Sequence, residues 1–254
     1  MLKFKKLLLV LLALTCSVAF GQTNESSQRP TNLKKWYWMN SSELIFSAGE
    51  LKISNPTVDG FGLVNYGVDN VVRFSAFLHF QQQAHFNFSN NLGFYIGVGM
   101  RNIGFINTLS GLEKKIKIKQ RSYSLGIPFA VKVGKMDGFY ATIGAEAELM
   151  FAYKRKVFYD GNKSKKSQWF SDDINLFNPG MFAEVHFKRG SYIHVKYYLS
   201  DFLKSETENF VLPDDGRTIS YKVNSSKLFY VGIGTSIKGK KAKRRNTSSA
   251  PAAV

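Results

Sequence analysis

The 254-residue chain holds a single cysteine, Cys16, in a segment expected to be removed, so the remainder has neither a disulfide frame nor a thiolate metal site. Proline is scarce, with 6 residues, while Phe (22) and Tyr (12) are plentiful, a balance that suits long strands better than helices. Carboxylates are few: 18 Asp and Glu face 35 Lys and Arg. Beyond residue 14 no run is apolar enough for a membrane helix. That absence does not exclude a membrane protein, because barrel strands alternate and their mean hydropathy is bland. Closely spaced glycines occur in GVGMRNIG at 97–104, but inside a strand pattern with no helix after it, so a dinucleotide-binding reading fails on context. No serine is singled out by a strained elbow of the kind that presents a nucleophile.

What is present begins with a leader. Lys3, Lys5 and Lys6 precede an apolar run from Leu7 to Leu14, and small residues follow at Ala19 and Gly21. This predicts a secretory signal peptide over 1–21, cleaved after Gly21. Thr15 directly ahead of Cys16 argues against a lipoprotein signal. The net charge is +17, of which three units belong to the leader lysines. For an exported chain so basic a balance points to anionic lipid, lipopolysaccharide phosphate or a surface polyanion, and away from nucleic acid.

The organising stretch runs from Arg121 to Tyr153. Tyr123, Leu125, Ile127, Phe129, Val131 and Val133 share one parity, and Phe139, Ala141, Ile143, Ala145, Ala147, Leu149, Phe151 and Tyr153 share another. Two such arms, each about twice a usual strand length, suit a transmembrane hairpin with its apolar parity toward lipid. The same alternation recurs at 43–52, 71–88, 92–107, 173–188, 192–203 and 219–237. Connections alternate long and short, with the short turns at 89–91, 134–138 and 188–191 assigned to the periplasmic side. The sequence therefore predicts an all-β fold: a closed, antiparallel, up-and-down, eight-stranded transmembrane β-barrel over 43–238. A periplasmic lead-in occupies 22–42 and a basic, disordered tail 239–254. A lipid-facing sheet has to close, because no water is there to satisfy a free edge. The rival is a soluble barrel of lipocalin type, with polar side chains outside and apolar ones inside.

The segments SLGIPFAVKVG at 124–134, FYATIGAEAELMFAYKRK at 139–156 and NLGFYIGVGMRNIGF at 91–105 resemble the outer-membrane β-barrel family of Bacteroidota sometimes called PorT-like. The resemblance covers most of the chain past the leader and implies the fold and an outer-membrane location. It brings no catalytic set. Pro128 stands in mid-strand, where it removes a ladder donor, and a bulge is expected there.

A barrel of eight strands leaves an interior that side chains can fill. The inward parity supplies Glu43, His79 and Lys188 together with Arg73, Arg101, Lys132, Glu146, Glu148, Glu184, His186, His194 and Lys196, the last nine expected to form a lumenal charge network with Lys132 paired to Glu146 and Glu184 to Lys196. Lys114, Lys115, Lys117, Lys154, Arg155, Lys163, Lys165 and Lys166 fall in two basic loops, expected at the external rim to bind anionic surface groups. The expected partners are outer-membrane lipid and lipopolysaccharide, the barrel assembly machinery and an envelope protein; no cofactor is expected. The expected role is non-enzymatic: structural, linked to assembly or secretion, or surface-binding. A narrow pore and a lipid A-modifying enzyme, the latter drawing on His186 and Glu184 as a base pair, are the alternatives.

Overall fold

The computed structural model describes residues 34–63, 65–213 and 216–239. The leader and most of the basic tail lie outside these residues. Eight staves close into an antiparallel ring: β1 (Trp36–Val58), β5 (Phe80–Asn87), β6 (Leu92–Ser110), β7 (Ile116–Gly134), β8 (Tyr140–Tyr159), β10 (Phe177–His186), β11 (Ser191–Asp201) and β13 (Thr218–Lys238). The seam is β1 against β13, registered from Met39↔Lys238 to Val58↔Ile219. Three tight turns, β5–β6, β7–β8 and β10–β11, share one end with the start of β1 and the end of β13. Five shorter strands belong to the other end: β2 (Phe61–Gly62), β3 (Gly67–Val71), β4 (Arg73–Ser75), β9 (Asn162–Trp169) and β12 (Thr207–Val211).

The lower part of the barrel follows the expected polarity. Leu44, Phe46, Ile96, Val98, Leu125, Ile127, Phe129, Val131, Ile143, Met181, Ile193 and Ile233 all face outward and are exposed. On β7 this apolar parity runs from Tyr123 to Val133. At about 3.3 Å per residue and a tilt of about 40°, those ten steps climb about 25 Å, the height of a lipid-facing band. Aromatic rings border it below, where Trp36 meets Trp38 edge to face with centroids 5.5 Å apart. They border it above as well, where Phe151 stacks on Trp169 at 5.7 Å.

Five staves continue well past the band, whereas β10 and β11 stop after 10 and 11 residues. In this upper part the polarity inverts. Ile116 and Ile118 of β7, Val157 of β8, and Ile219, Tyr221 and Val223 of β13 point inward into one apolar core with Phe105, Phe202 and Leu203. A wall surrounded by water gains by burying its apolar surface in the interior, and this part of the barrel does so. The inversion at β8 has a definite site. Tyr123 pairs with Ala152 and Ser124 with Met150, so Phe151 is an extra residue, and the bulge there switches parity. Tyr153, expected outside, is thereby buried at 1% exposure.

Several expectations are corrected. The bulge lies at Phe151 and not at Pro128: Pro128 pairs with Glu146 in unbroken register on one side. On the other side Ile96↔Phe129 and Gly99↔Gly126 keep one register while the two pairs between them are lost, as a missing N–H requires. The strand expected over 71–88 is interrupted at 76–79, where Leu78 adopts φ 59° and the register against β1 slips by two, which preserves parity. β1 begins at Trp36, seven residues before the expected start. The second basic loop is a hairpin, β8 paired with β9 through Asp160–Gly161, both at positive φ.

Candidate functional site

All four histidines of the chain, His79, His85, His186 and His194, point into the lumen and are buried. They sit within a polar filling that β1, β5, β6, β7, β8, β10 and β11 contribute at alternate positions. Arg101 of β6 is its centre. Its Nε donates to Glu43 Oε1 at 2.9 Å and its Nη2 to Gln81 Oε1 at 2.6 Å, while Nη1 reaches Glu146. Lys196 of β11 donates to Glu146 Oε2 at 2.6 Å and to Glu148. The Tyr198 hydroxyl also meets Glu148, at 3.1 Å. His194 lies 2.9 Å from Glu43 Oε2 and 3.8 Å from Glu184 Oε1. Glu184 Oε2 accepts from Tyr95 at 2.9 Å and Thr142 at 3.0 Å, and lies 2.9 Å from His186 Nε2. A buried carboxylate needs partners on its lone pairs, and here each carboxylate has at least two.

Glycine makes this packing possible at two places. A Cβ on Gly126 would overlap the Glu146 carboxylate, and one on Gly180 would stand 2.7 Å from Lys196 Cε. Below the acid–base centre the filling is aromatic. His85 is sandwiched between Tyr37 (4.8 Å) and Tyr95 (5.0 Å), and His186 between Tyr140 (4.5 Å) and Tyr192 (5.0 Å). A stacked, buried imidazole is held as a packing unit, with little freedom to swing as a general base. Above the acid–base centre comes the apolar core.

The expected charge pairs are different ones. Lys132 sits opposite Thr142, because the β7–β8 turn fixes the register four residues away from the Lys132–Glu146 alignment. Lys132 instead donates to Asn87 Oδ1 at 2.5 Å and lies near His85 and Tyr37. Glu184 sits opposite His194, and Lys196 opposite Phe182. Arg73 is placed at the upper edge, donating to Asn102 Oδ1 at 2.8 Å and Asn102 O at 3.0 Å. Lys188, read as inward, is exposed in the β10–β11 turn. Glu43, expected inside, joins the network, and so do Gln81, Tyr95 and Tyr198, for which inward parity is the available signal. Among the described residues no group of three or more His, Cys, Asp or Glu is arranged to hold a metal ion.

The eight rim cations divide. Arg155 points inward, is 6% exposed, and pairs with Glu208 while its Nη2 donates to Asn209 O at 3.0 Å. Lys166 pairs with Asp173 at 2.6 Å, and Lys114 with Asp160. Lys115 is exposed in the β6–β7 connection. Lys117, Lys154, Lys163 and Lys165 stand on the outward face of β7, β8 and β9, where Lys119, Arg121 and Lys156 join them. Lys154 and Lys156 titrate below the ordinary lysine value, through desolvation first and then repulsion from neighbouring cations, Lys165 and Arg121 among them. Arg155 and Lys166 also line a cleft of about 210 Å³ with Asp173, Lys204 and Glu208, where β9 and β12 face each other above the short staves.

No family model matches the chain, and no curated protein matches its sequence. Among solved structures the fold is similar to the outer membrane protein OprG from Pseudomonas aeruginosa, at 12% identity and a TM-score of 0.43, covering 80% of this chain and 96% of that one. It is also similar to Ail, the attachment invasion locus protein of Yersinia pestis (12% identity, TM-score 0.33, 81% and 100% covered). Neisserial surface protein A gives 12% identity and a TM-score of 0.34, with 81% and 98% covered.

Proposed function

We propose that the chain is an integral outer-membrane barrel that acts through its external walls, with a lumen closed to solutes. The observation that carries this reading is the pairing of an apolar outer band about 25 Å high with an interior occupied, level by level, by stacked tyrosines and histidines, the Arg101 and Lys196 ion pairs, and an apolar cap. Outside such a band lipid is the compatible solvent; inside it the buried charges meet one another, Arg101 and Lys196 against Glu43, Glu146 and Glu148, while Gln81 Nε2, Ser124 Oγ and His186 Nδ1 are left without a protein partner. The tight turns and both strand termini then face the periplasm, and the inverted upper barrel stands outside the cell. Insertion would depend on the barrel assembly machinery, and the extended upper walls offer the surface for lipopolysaccharide or an envelope partner. A structural or surface-binding role follows, without enzymatic chemistry: the His186 ring, 2.9 Å from Glu184, is stacked between Tyr140 and Tyr192.

Two measurements test this. Refolded protein is expected to migrate differently in unboiled and boiled gels and to fractionate with outer membranes; recovery in the soluble periplasm would overturn the membrane reading. In planar bilayers it is expected to give no unitary conductance steps. Regular steps would mean that the lumen is a pore.

A further inference from the structure

The outward face of β7, β8 and β9 above the apolar band carries cations in register. Arg121 stands opposite Lys154, and in the next row Lys119 is opposite Lys156, which is opposite Lys165. In the row above, Lys117 and Lys163 flank Phe158. No Asp or Glu occurs in β7, in β9, or in β8 beyond Glu148. Directly opposed side chains in a sheet have Cβ atoms about 5 Å apart, and like charges placed so repel. A row of three opposed lysines is therefore an arrangement that a sheet normally avoids. The cations do not drift free: Lys119 lies over the Phe158 ring at 5.1 Å and Arg121 over Tyr123 at 5.5 Å. The row directly beneath is Tyr123, Ala152 and Trp169, and Phe151 stacks on both aromatics. Aromatics of that kind mark the membrane–water interface. The lowest cation row stands two residues higher, about 5 Å along the membrane normal, where the phosphates of outer-leaflet lipid lie.

We propose that this cationic lattice is a binding site for the phosphate groups of lipopolysaccharide in the outer leaflet, with the aromatic row against its acyl chains and the lysine rows on its phosphorylated sugars. The proposal rests on the outer-membrane reading above. A headgroup with more than one phosphate fits a lattice of two or more rows, and a bound polyanion would relieve the repulsion that the bare lattice carries. The opposite wall lacks this arrangement: on β1 and β13, Lys52 pairs with Glu50 at 3.2 Å.

The test compares two double variants of equal charge change, Lys156→Gln/Lys165→Gln in the lattice and Lys52→Gln/Lys222→Gln on the opposite wall. Each full-length barrel is first checked for heat-modifiable migration, so that loss of insertion is separated from loss of binding. Purified lipopolysaccharide is then titrated against barrel in zwitterionic micelles and counted as bound adducts by native mass spectrometry. The lattice variant is expected to bind at least tenfold more weakly than wild type, and the control within twofold. Without lipopolysaccharide the lattice variant is expected to unfold at the same temperature as wild type or higher; with it, at a lower one. Enzymatically dephosphorylated lipopolysaccharide is expected to bind wild type as weakly as intact lipopolysaccharide binds the lattice variant. Equal losses in both variants, or undiminished binding of the dephosphorylated lipid, would overturn the assignment. Full displacement of the lipid by equimolar soluble polyphosphate would overturn it too, by pointing to a soluble phosphate source.

Discussion

Lys196 on β11 reaches Glu146 on β8 at 2.6 Å by passing over Gly180 of the intervening stave β10. The same ammonium meets Glu148, so one cation serves two buried carboxylates. Removing it leaves those charges with Arg101 and the Tyr198 hydroxyl alone. Breaking a buried ion pair from one side costs about 3–5 kcal/mol, because the abandoned charge has lost its water. Lys196→Met is expected to destabilise the folded barrel by that amount in urea titrations followed by the heat-modifiable band. A loss below about 1 kcal/mol, the scale of an exposed pair, would show that the lumen is wet and the pair screened.

Lys132 gives the contrasting case. Its partners are Asn87, His85 and the Tyr37 hydroxyl, all formally neutral or weakly basic. Its ammonium also lies 5.3 Å from the Tyr37 ring centroid. Lys132→Met orphans no carboxylate and keeps most of the volume, so the expected change is within about 1.5 kcal/mol of wild type. If it proved as costly as Lys196→Met, a carboxylate would have to be reaching Lys132 in the membrane.

The two lysines also show where sequence reasoning stops. Parity depends only on counting by two, and Lys132, Glu146, Glu184 and Lys196 share the buried parity of their strands. Partnership depends on register, and register depends on how many residues the turn consumes. The β7–β8 turn sets Gly134 against Tyr140, which carries Lys132 to Thr142. Side-chain reach adds a second freedom: Lys196 skips its direct opposite, Phe182, and finds acids two strands away. The same counting failed above the membrane for a different reason. Ile116 and Ile118 alternate with Lys117 and Lys119 as cleanly as any strand. Read with apolar residues always outward, this stretch has the look of a basic loop. The pattern inverts at the Tyr123–Trp169 row, where the proposed membrane placement would change the outer solvent from lipid to water. A bulge at Phe151, with no glycine or proline to announce it, lets β8 follow.

Glycine positions in the lumen make a further prediction. Gly126 has Glu146 where a Cβ would go, whereas Gly62 in the upper extension has open space around it. Gly126→Ala forces the Glu146 carboxylate out of the network and is expected to cost about 1–3 kcal/mol, as overpacking does. Gly62→Ala is expected to change stability by less than about 0.5 kcal/mol. Equal midpoints for the two variants in urea would mean that the network re-forms around the added methyl.

Glu208 supplies a pH-dependent prediction outside the membrane band. It sits on β12, faces Arg155 and is close to Asp173 and Lys166. Burial raises its carboxyl above the ordinary value; Arg155 opposes the rise without cancelling it, and Asp173 adds to it. A carboxyl whose folded value is raised binds its proton more tightly when folded. Its contribution to stability is full below the unfolded value, near 4.5, and is lost as pH climbs through the raised one. The β12 edge should therefore be closed most firmly in mild acid and loosen toward neutrality. Hydrogen exchange of the amides at 207–211, corrected for intrinsic rates, should show protection falling as pH rises from the unfolded value of 4.5 through the raised folded one. Glu208→Gln should hold the acid level of protection across the range, since a neutral amide still accepts from Arg155. The opposite trend, protection rising with pH in the wild type and lost in the variant, would mean that the ion pair outweighs its own burial and that Arg155 holds β12 as an ordinary salt bridge does.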